Sequence, residues 1–213
     1  MTKTIPILIA AGIAIGCGRS PSPDAQGIQK AFGAYKTAIL NTDGPTAVAH
    51  VSKRTIDEYQ QYVDWCRLAD RQTLEALSTI NKLQVLLVKH RIPKADLMKM
   101  GGEAIFIHAV NNDWIGKAGV VATTIGDIQT SNGRGTAAVY INQEKAPTRF
   151  HFIEEEGSWK FDLIQTLRDA DQILKMQMRQ LGLEEDEFIF RMIESVSGRK
   201  VPASIWEPLE KKD

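Results

Sequence analysis

Between Asp24 and Leu40 apolar side chains return at helical spacing, at Ile28, Ala31, Phe32, Tyr35, Ala38 and Ile39. That period predicts an amphipathic helix, stopped by the turn residues Asn41-Thr42-Asp43-Gly44. Pro45 suits the first turn of a short helix over 45–51. Ser52 is placed to cap the next, over 54–68, which carries Ile56, Tyr59, Tyr62, Val63 and Cys66 on one side. Asp70 is placed to cap a helix reaching Lys89, with Leu74, Leu77, Ile80 and Leu83 in step. Its end, Val85-Leu86-Leu87-Val88, is apolar all round and is predicted to lie deep. Pro93 starts another helix, Gly101-Gly102 interrupts it, and 103–112 reads helical again.

From about Ala118 the period changes to two. Residues 120–129, 135–142, 148–154 and 158–164 read as strands, with Asn132-Gly133 as a hairpin turn. Phe150 and Phe152 alternate with polar neighbours, as do Trp159, Phe161 and Leu163, and Val139 and Ile141 are expected to share their face. An antiparallel meander with one apolar face results, and the preceding helices are its natural cover. Two helices close the chain. Residues 169–181 carry the stripe Ala170, Ile173, Leu174, Met178 and Leu181, ended by Gly182. Residues 184–196 begin with four acidic side chains, suited to a helix N-terminus, and carry Ile189, Met192, Ile193 and Val196. The tail with Ile205, Trp206 and Leu209 is expected to pack across these stripes as a clasp, in a non-helical conformation.

The N-terminus has a different character. Lys3 precedes an apolar run from Ile5 to Ile15, broken only by Pro6 and Gly12. This is the length of a signal-peptide core and too short for a membrane span, which needs roughly 20 apolar residues. The run ends at Ala14-Ile15-Gly16-Cys17, which resembles a bacterial lipobox, although Leu is usual where Ala14 stands. The preferred reading is a signal peptide over 1–16, lipid attachment at Cys17 and a flexible tether over 17–27. The alternatives are an ordinary secretory signal cut near Gly16 or Gly18, and a buried N-terminal helix of a cytosolic protein. Residues 28–213 then form a single domain, extended by helices from about 165 onward. Its expected location is the cell envelope, anchored to a membrane on the extracytoplasmic side.

Composition narrows the chemistry. Lys+Arg and Asp+Glu are both 26, so no basic stripe argues for nucleic acid. Of the two cysteines, Cys66 reads as a small buried hydrophobe if Cys17 carries lipid; a 17–66 disulfide ranks lower. No phosphate loop, HExxH, paired CxxC or GxSxG elbow occurs, and the histidines at 50, 90, 108 and 151 lack metal-ligand spacing. No metal, cofactor or catalytic residue is assigned. His108 reads as a pocket base or as a hydrogen-bonded structural histidine, the second being preferred. His151 is expected on the outer sheet surface with Arg149. Tyr35, Tyr59, Tyr62, Trp65 and Trp114 can line a cavity, but at helical spacing they read first as core. Glu154-Glu155-Glu156 reads as a solvated turn.

The order of helices before a curved antiparallel sheet is an α+β pattern. The segments Ala31-Phe32-(x)2-Tyr35 and Asp43-Gly44-(x)2-Ala47-(x)3-Val51-Ser52-(x)2-Thr55-(x)3-Tyr59 carry a family likeness. The strand pair Arg149-Phe150-His151-Phe152 and Gly157-Ser158-Trp159-Lys160-Phe161 adds to it. Over about 28–164 the chain resembles the NTF2-like (SnoaL-like) superfamily, as found in bacterial lipoproteins. The helical insert over 70–114 and the two C-terminal helices depart from it. The resemblance implies a cone of N-terminal helices on a curved sheet. Enzymes of that superfamily use a carboxylate or histidine within the cone, which makes Asp162 and Tyr140 the strand residues to examine, though both alternate away from the apolar face. The leading functional reading is a non-enzymatic domain binding a small apolar ligand or a protein partner. The alternatives are a cofactor-free isomerase or cyclase and a homo-oligomeric assembly module.

Overall fold

Ser22 starts the first helix: its Oγ accepts the Ala25 amide at 3.2 Å, and Pro23 follows in the first helical position. The computed structural model describes residues 21–115 and 117–210. Cys17, the apolar run before it and the first part of the expected tether lie outside the described residues. Helix α1 spans Pro23–Leu40 and buries all six residues of the predicted stripe. Residues 23–27, expected in the tether, are therefore its opening turns.

Helices α2 (Gly44–Val48) and α3 (Lys53–Leu68) follow. α2 stops short of the expected residue 51 because the chain turns there to run beside the last strand. The Ser52 amide donates to Phe161 O at 2.9 Å and the Phe161 amide to His50 O at 2.8 Å. The helix expected over 70–89 is two helices, α4 (Arg71–Glu75) and α5 (Thr79–Arg91). Asp70 caps the first as expected. Ser78 breaks the run by adopting an extended backbone and accepting the Asn81 amide at 3.3 Å, the competition between capping and helix interior that serine favours. Val85, Leu86 and Val88 are buried, and Leu87 partly so. Helices α6 (Lys94–Leu97) and α7 (Gly102–Asn111) are close to expectation. A five-residue helix α8 (Lys117–Val121) stands where strand was expected to begin.

The sheet comprises β1 (Thr123–Ser131), β2 (Arg134–Ile141), β3 (Glu144–Glu155) and β4 (Ser158–Asp162), antiparallel and in sequence order. Each hairpin closes in two residues with positive φ at both: Asn132-Gly133, Asn142-Gln143 and Glu156-Gly157. This geometry matches the twist of the strands it joins. The apolar face carries Phe150, Phe152, Trp159 and Phe161, with Gly135 opposite Phe152 and Ala137 opposite Phe150. Gly135 permits close approach of α1, since a Cβ there would meet Ile28 Cδ1 at 2.3 Å. Ile141, expected on the apolar face, is exposed; the β2–β3 register shifts between Ala138 and Tyr140, and such bulges re-aim the side chains beyond them.

Asp162 ends β4 by capping the Ile164 amide, so Leu163 and Ile164, expected in the strand, open helix α9 (Leu163–Leu181). Gly182, at φ 62°, ends it, and α10 (Glu185–Ser197) returns. The predicted stripe of α9 is only partly covered: Leu174 is buried and Ala170 and Met178 pack on the core, but Ile173 and Leu181 are exposed. Val196 of α10 is exposed as well.

The architecture is thus α+β: ten α-helices and a curved four-stranded sheet among the described residues. Two apolar cores meet within it. One lies between α1, α2, α7 and the sheet, around Phe32, Phe106 and Phe161. The other joins α3, α5 and α10, around Val63, Leu86 and Ile189. The tail seals the second. It forms a 3-10 turn, Ala203–Trp206, rather than the expected non-helical strap, and buries Ile205 and Trp206. Trp206 sits 5.8 Å from Phe190 and beneath the Arg71 guanidinium at 5.0 Å. Beyond it, the amides of Leu209 and Glu210 donate to the Cys66 and Arg67 carbonyls at 3.3 and 2.9 Å.

Candidate functional site

The seam between the two cores is not filled. Two apolar chambers lie there and share the walls Tyr35, Ile115 and Leu163. The first, a partly open hollow of about 200 Å³, is bordered by Phe32 of α1, Val120 of α8, Phe150 and Phe161 of the sheet, and Thr166 of α9. The second, about 280 Å³, is lined by Tyr59 and Tyr62 of α3, Leu87 and Val88 of α5, Ile105 of α7, and Trp114. A larger cleft of about 450 Å³ elsewhere is bordered by charged and polar side chains, among them Glu58, Asn81, Arg168 and Asp171.

Local structure explains each wall. α1 turns Phe32 and Tyr35 inward on the same stripe as Ile28, and Tyr35 meets Phe161 edge-on at 5.0 Å. α8 is too short to hold itself by helix formation alone. Lys36 of α1 secures its end, donating from Nζ to the carbonyls of Val121 at 2.9 Å and Thr123 at 2.7 Å. α9 enters the wall because it begins at Leu163, immediately after Asp162 caps it.

The walls are uncharged at neutral pH. Burial, and then the neighbouring Tyr59, push the Tyr35 phenol well above its ordinary range. Burial alone raises Tyr59 to about 12. Tyr62 is raised by burial first, with Glu58 adding to it, and its hydroxyl donates to Asn81 Oδ1 at 3.4 Å. None of the described wall residues is Asp, Glu, His, Lys or Arg. Thr166 Oγ1 is shielded from solvent and has no hydrogen-bond partner among the described residues.

The residues singled out by sequence fall elsewhere. His108 lies on α7 with its ring edge-on to Trp114 at 5.1 Å, behind the second chamber rather than in its wall. Asp162 points away from the apolar face, as expected, yet is buried. It accepts Ser52 Oγ at 3.3 Å and faces Arg54 at 3.4 Å, a capping role at the sheet edge. Tyr140 is on the outer face, donating to Asp127 at 3.0 Å. His151 is also there, opposite Thr136 and Asp162, as expected with Arg149. Burial lowers the His151 pKa, against the pull of Asp162 and Asp169. Glu155 is not part of a solvated turn: both its carboxylate oxygens accept the Lys53 amide at 3.1 Å. Cys66 is buried and free, its thiol pushed to about 12 by burial.

Of the aromatic set, Tyr35, Tyr59, Tyr62 and Trp114 do line the chambers, whereas Trp65 packs outside them against the helical core. Tyr35 and Tyr62 are buried in the cores and Tyr59 and Trp114 pack against them, as the preferred reading expected, and all four border the chambers as well. For the three tyrosines the signal was the hydroxyl: a tyrosine at a core position carries a polar atom that phenylalanine does not, and that atom needs a destination. Leu163, Ile115 and Thr166 were not found, because each belongs to an element whose boundary was displaced or unseen. Among the described residues no group of three His, Cys, Asp or Glu is placed to hold a metal ion, and no described helix is long and apolar enough to cross a membrane. No family model, curated protein or solved structure matches the chain.

Proposed function

We propose that this domain binds a small apolar molecule in the joined chambers, without transforming it, and is held at the outer side of a bacterial membrane by lipid on Cys17. The observation that carries the binding reading is the wall itself: mainly aromatic and aliphatic side chains, with Gln84, Thr123 and Thr166 among them, border the space, and the described wall residues supply no carboxylate or imidazole for proton transfer. An apolar cavity of about 150 Å³ takes up benzene in other proteins, so hollows of this size have room for a single ring. Helices backing one face of a curved sheet are also compatible with an NTF2-like cone, which is the architecture the sequence resembles. The anchor reading is supported by the Ile5–Ile15 run ending at Gly16-Cys17.

The test of binding is an NMR titration with toluene. Saturable shifts of the Ile115, Val120 and Leu163 methyl groups are expected in the wild-type chain. Those of Val120 and Leu163 should weaken or disappear in an Ile115→Trp variant, whose indole intrudes from the wall the chambers share, while its circular dichroism is unchanged. Failure of the wild type to bind toluene or any related hydrocarbon overturns the reading. For the anchor, mass spectrometry of the membrane fraction should find a mature chain beginning at lipid-modified Cys17, and an intact Met1 in the soluble fraction overturns that part.

A further inference from the structure

Tyr35, Tyr59 and Tyr62 all border the second chamber, and their hydroxyls end differently. That of Tyr62 is engaged, donating to Asn81 Oδ1. Those of Tyr35 and Tyr59 have no hydrogen-bond partner among the described residues. Tyr35 is the more telling, because it is only 4 % exposed and buried polar groups are ordinarily paired. The described buried side-chain atoms that are both unpartnered and shut off from water are Arg67 Nε, His90 Nδ1 and Thr166 Oγ1. The Tyr35 hydroxyl is unpartnered but not one of these, so it fronts open space, and the space that Tyr35 borders is the chambers. Packing fixes both rings. Tyr35 meets Phe161 edge-on at 5.0 Å, and Tyr59 lies 5.1 Å from Phe106 and 5.6 Å from Tyr62. The two hydroxyls are near enough for a charge on Tyr59 to be felt at Tyr35.

We propose that the occupant of the second chamber is a neutral, ring-sized molecule with an acceptor oxygen, as in an ether, ester or ketone, to which Tyr35 donates its phenolic proton, with Tyr59 beside it. This rests on the binding function proposed above and specifies its ligand class. The acceptor is set by the phenols. Each brings an O–H to donate, and an O–H left without an acceptor is costly in an apolar site. One oxygen with two lone pairs serves both. Neutrality is set by the wall, whose described residues offer no cation to a carboxylate and no anion to an ammonium. An unpaired buried charge is far more costly than an unpaired hydroxyl. The size is set by a space of about 280 Å³, since a cavity of about 150 Å³ holds benzene. Gln84 of α5 borders the same chamber and is half-buried. It is the polar wall residue against which the assignment is tested.

Acetophenone and α-methylstyrene are matched probes: they share one shape, and the carbonyl oxygen of the first is a methylene in the second. Their affinities are measured by NMR titration of the Leu87, Val88 and Ile105 methyl groups, which border the second chamber. The full chain is compared with its Tyr35→Phe, Tyr59→Phe and Gln84→Leu variants. Water solvates the two probes differently, but that difference cancels when each variant is set against the wild type. Tyr35→Phe should weaken acetophenone about tenfold and leave α-methylstyrene as tight or tighter. Tyr59→Phe should act in the same direction by less, and Gln84→Leu should leave the ratio of the two affinities unchanged. The melting temperature of empty Tyr35→Phe protein should not fall, since the variant loses no hydrogen bond within the chain; a fall shows a partner for the hydroxyl and overturns the proposal. The ligand class is also overturned, and the binding function stands, if α-methylstyrene binds and acetophenone does not, or if the ratio follows Gln84→Leu instead. A ratio unchanged in Tyr35→Phe has the same meaning, the hydroxyl then being served by water alone. If neither probe binds the wild type, both fall together.

Discussion

Gln143 holds φ at 71°, in the left-handed region that side chains other than glycine and asparagine avoid. The β2–β3 hairpin imposes this, because a two-residue turn of the required hand needs positive φ at both positions. Gln143→Gly is therefore expected to stabilise the protein by about 0.5–1 kcal/mol, the strain relieved exceeding the added freedom of the unfolded chain. A urea titration should show the midpoint rising with the slope unchanged. Gly102 presents the opposite case. A Cβ there would lie 2.4 Å from the Gln60 backbone nitrogen and 2.7 Å from Ile56 O, and the Gly102 amide donates to Gln60 Oε1 at 2.8 Å. Backbone cannot yield as a flexible side chain can, so Gly102→Ala should cost about 2 kcal/mol or more in the same titration, by prising α7 from α3. The two positions differ in legibility for a physical reason. Asn132-Gly133 announces its turn by residue type, and Gly101-Gly102 announces an interruption. Asn142-Gln143 does not, because the conformation there is enforced by the strands on either side.

At the scale of elements, the C-terminal helices are tied to α5 by two acidic side chains. Asp171 of α9 accepts the Ile80 amide at 3.0 Å, at the start of α5, and pairs with Lys175 at 2.8 Å. Glu185 of α10 bonds Thr79 and the buried Lys82 of the same helix. Burial by itself would raise both pKa values. In each case the partners outweigh it and hold the carboxyl below its ordinary range: Lys175 and the α5 amides for Asp171, Lys82 and Thr79 for Glu185. A depressed carboxyl contributes stability that is complete above its unfolded pKa, about 4, and is lost as pH falls through the lower folded value. Acid is thus expected to weaken the attachment of α9 and α10 between about pH 4 and pH 2. Asp171→Asn should cost about 2 kcal/mol at pH 7 and flatten the pH dependence below 4, both read from urea titrations at pH 7 and pH 3. None of this tie was visible in sequence. The periodicity of Leu74, Leu77 and Ile80 runs straight through the break at Ser78, since a restarted helix can keep the same buried side. The amides that Asp171 receives exist only because of that break.

At the scale of the molecule, the succession of helices, meander and helices was legible, because the hydrophobic period changes from helical to alternating and back. The chambers were not, because they arise along the seam between two cores, a property of no single element. The tail closes the second core. Burying Ile205 and Trp206 stabilises by about 1.5–3 kcal/mol each, so ending the chain at Gly198 is expected to lower the melting temperature by about 10 °C. It also removes the backbone bonds onto Cys66 and Arg67. Alkylation of the Cys66 thiol, suppressed in the full chain by burial and a pKa near 12, should then accelerate at pH 8. An unchanged rate and melting temperature would show that the tail is not a structural clasp. The bond pair between Phe161 and residues 50–52 has a kinetic consequence. β1 to β4 pair only with sequence neighbours across two-residue turns, so the meander can zip locally. Joining Val51 to Phe161 demands closure of a long loop, whose entropy is lost before any contact compensates it. The first chamber, whose wall includes Phe161, is expected to form with that closure, after the meander. A molecule that enters this chamber lengthens the native lifetime by slowing escape from the folded basin, and leaves the rate of reaching it unchanged.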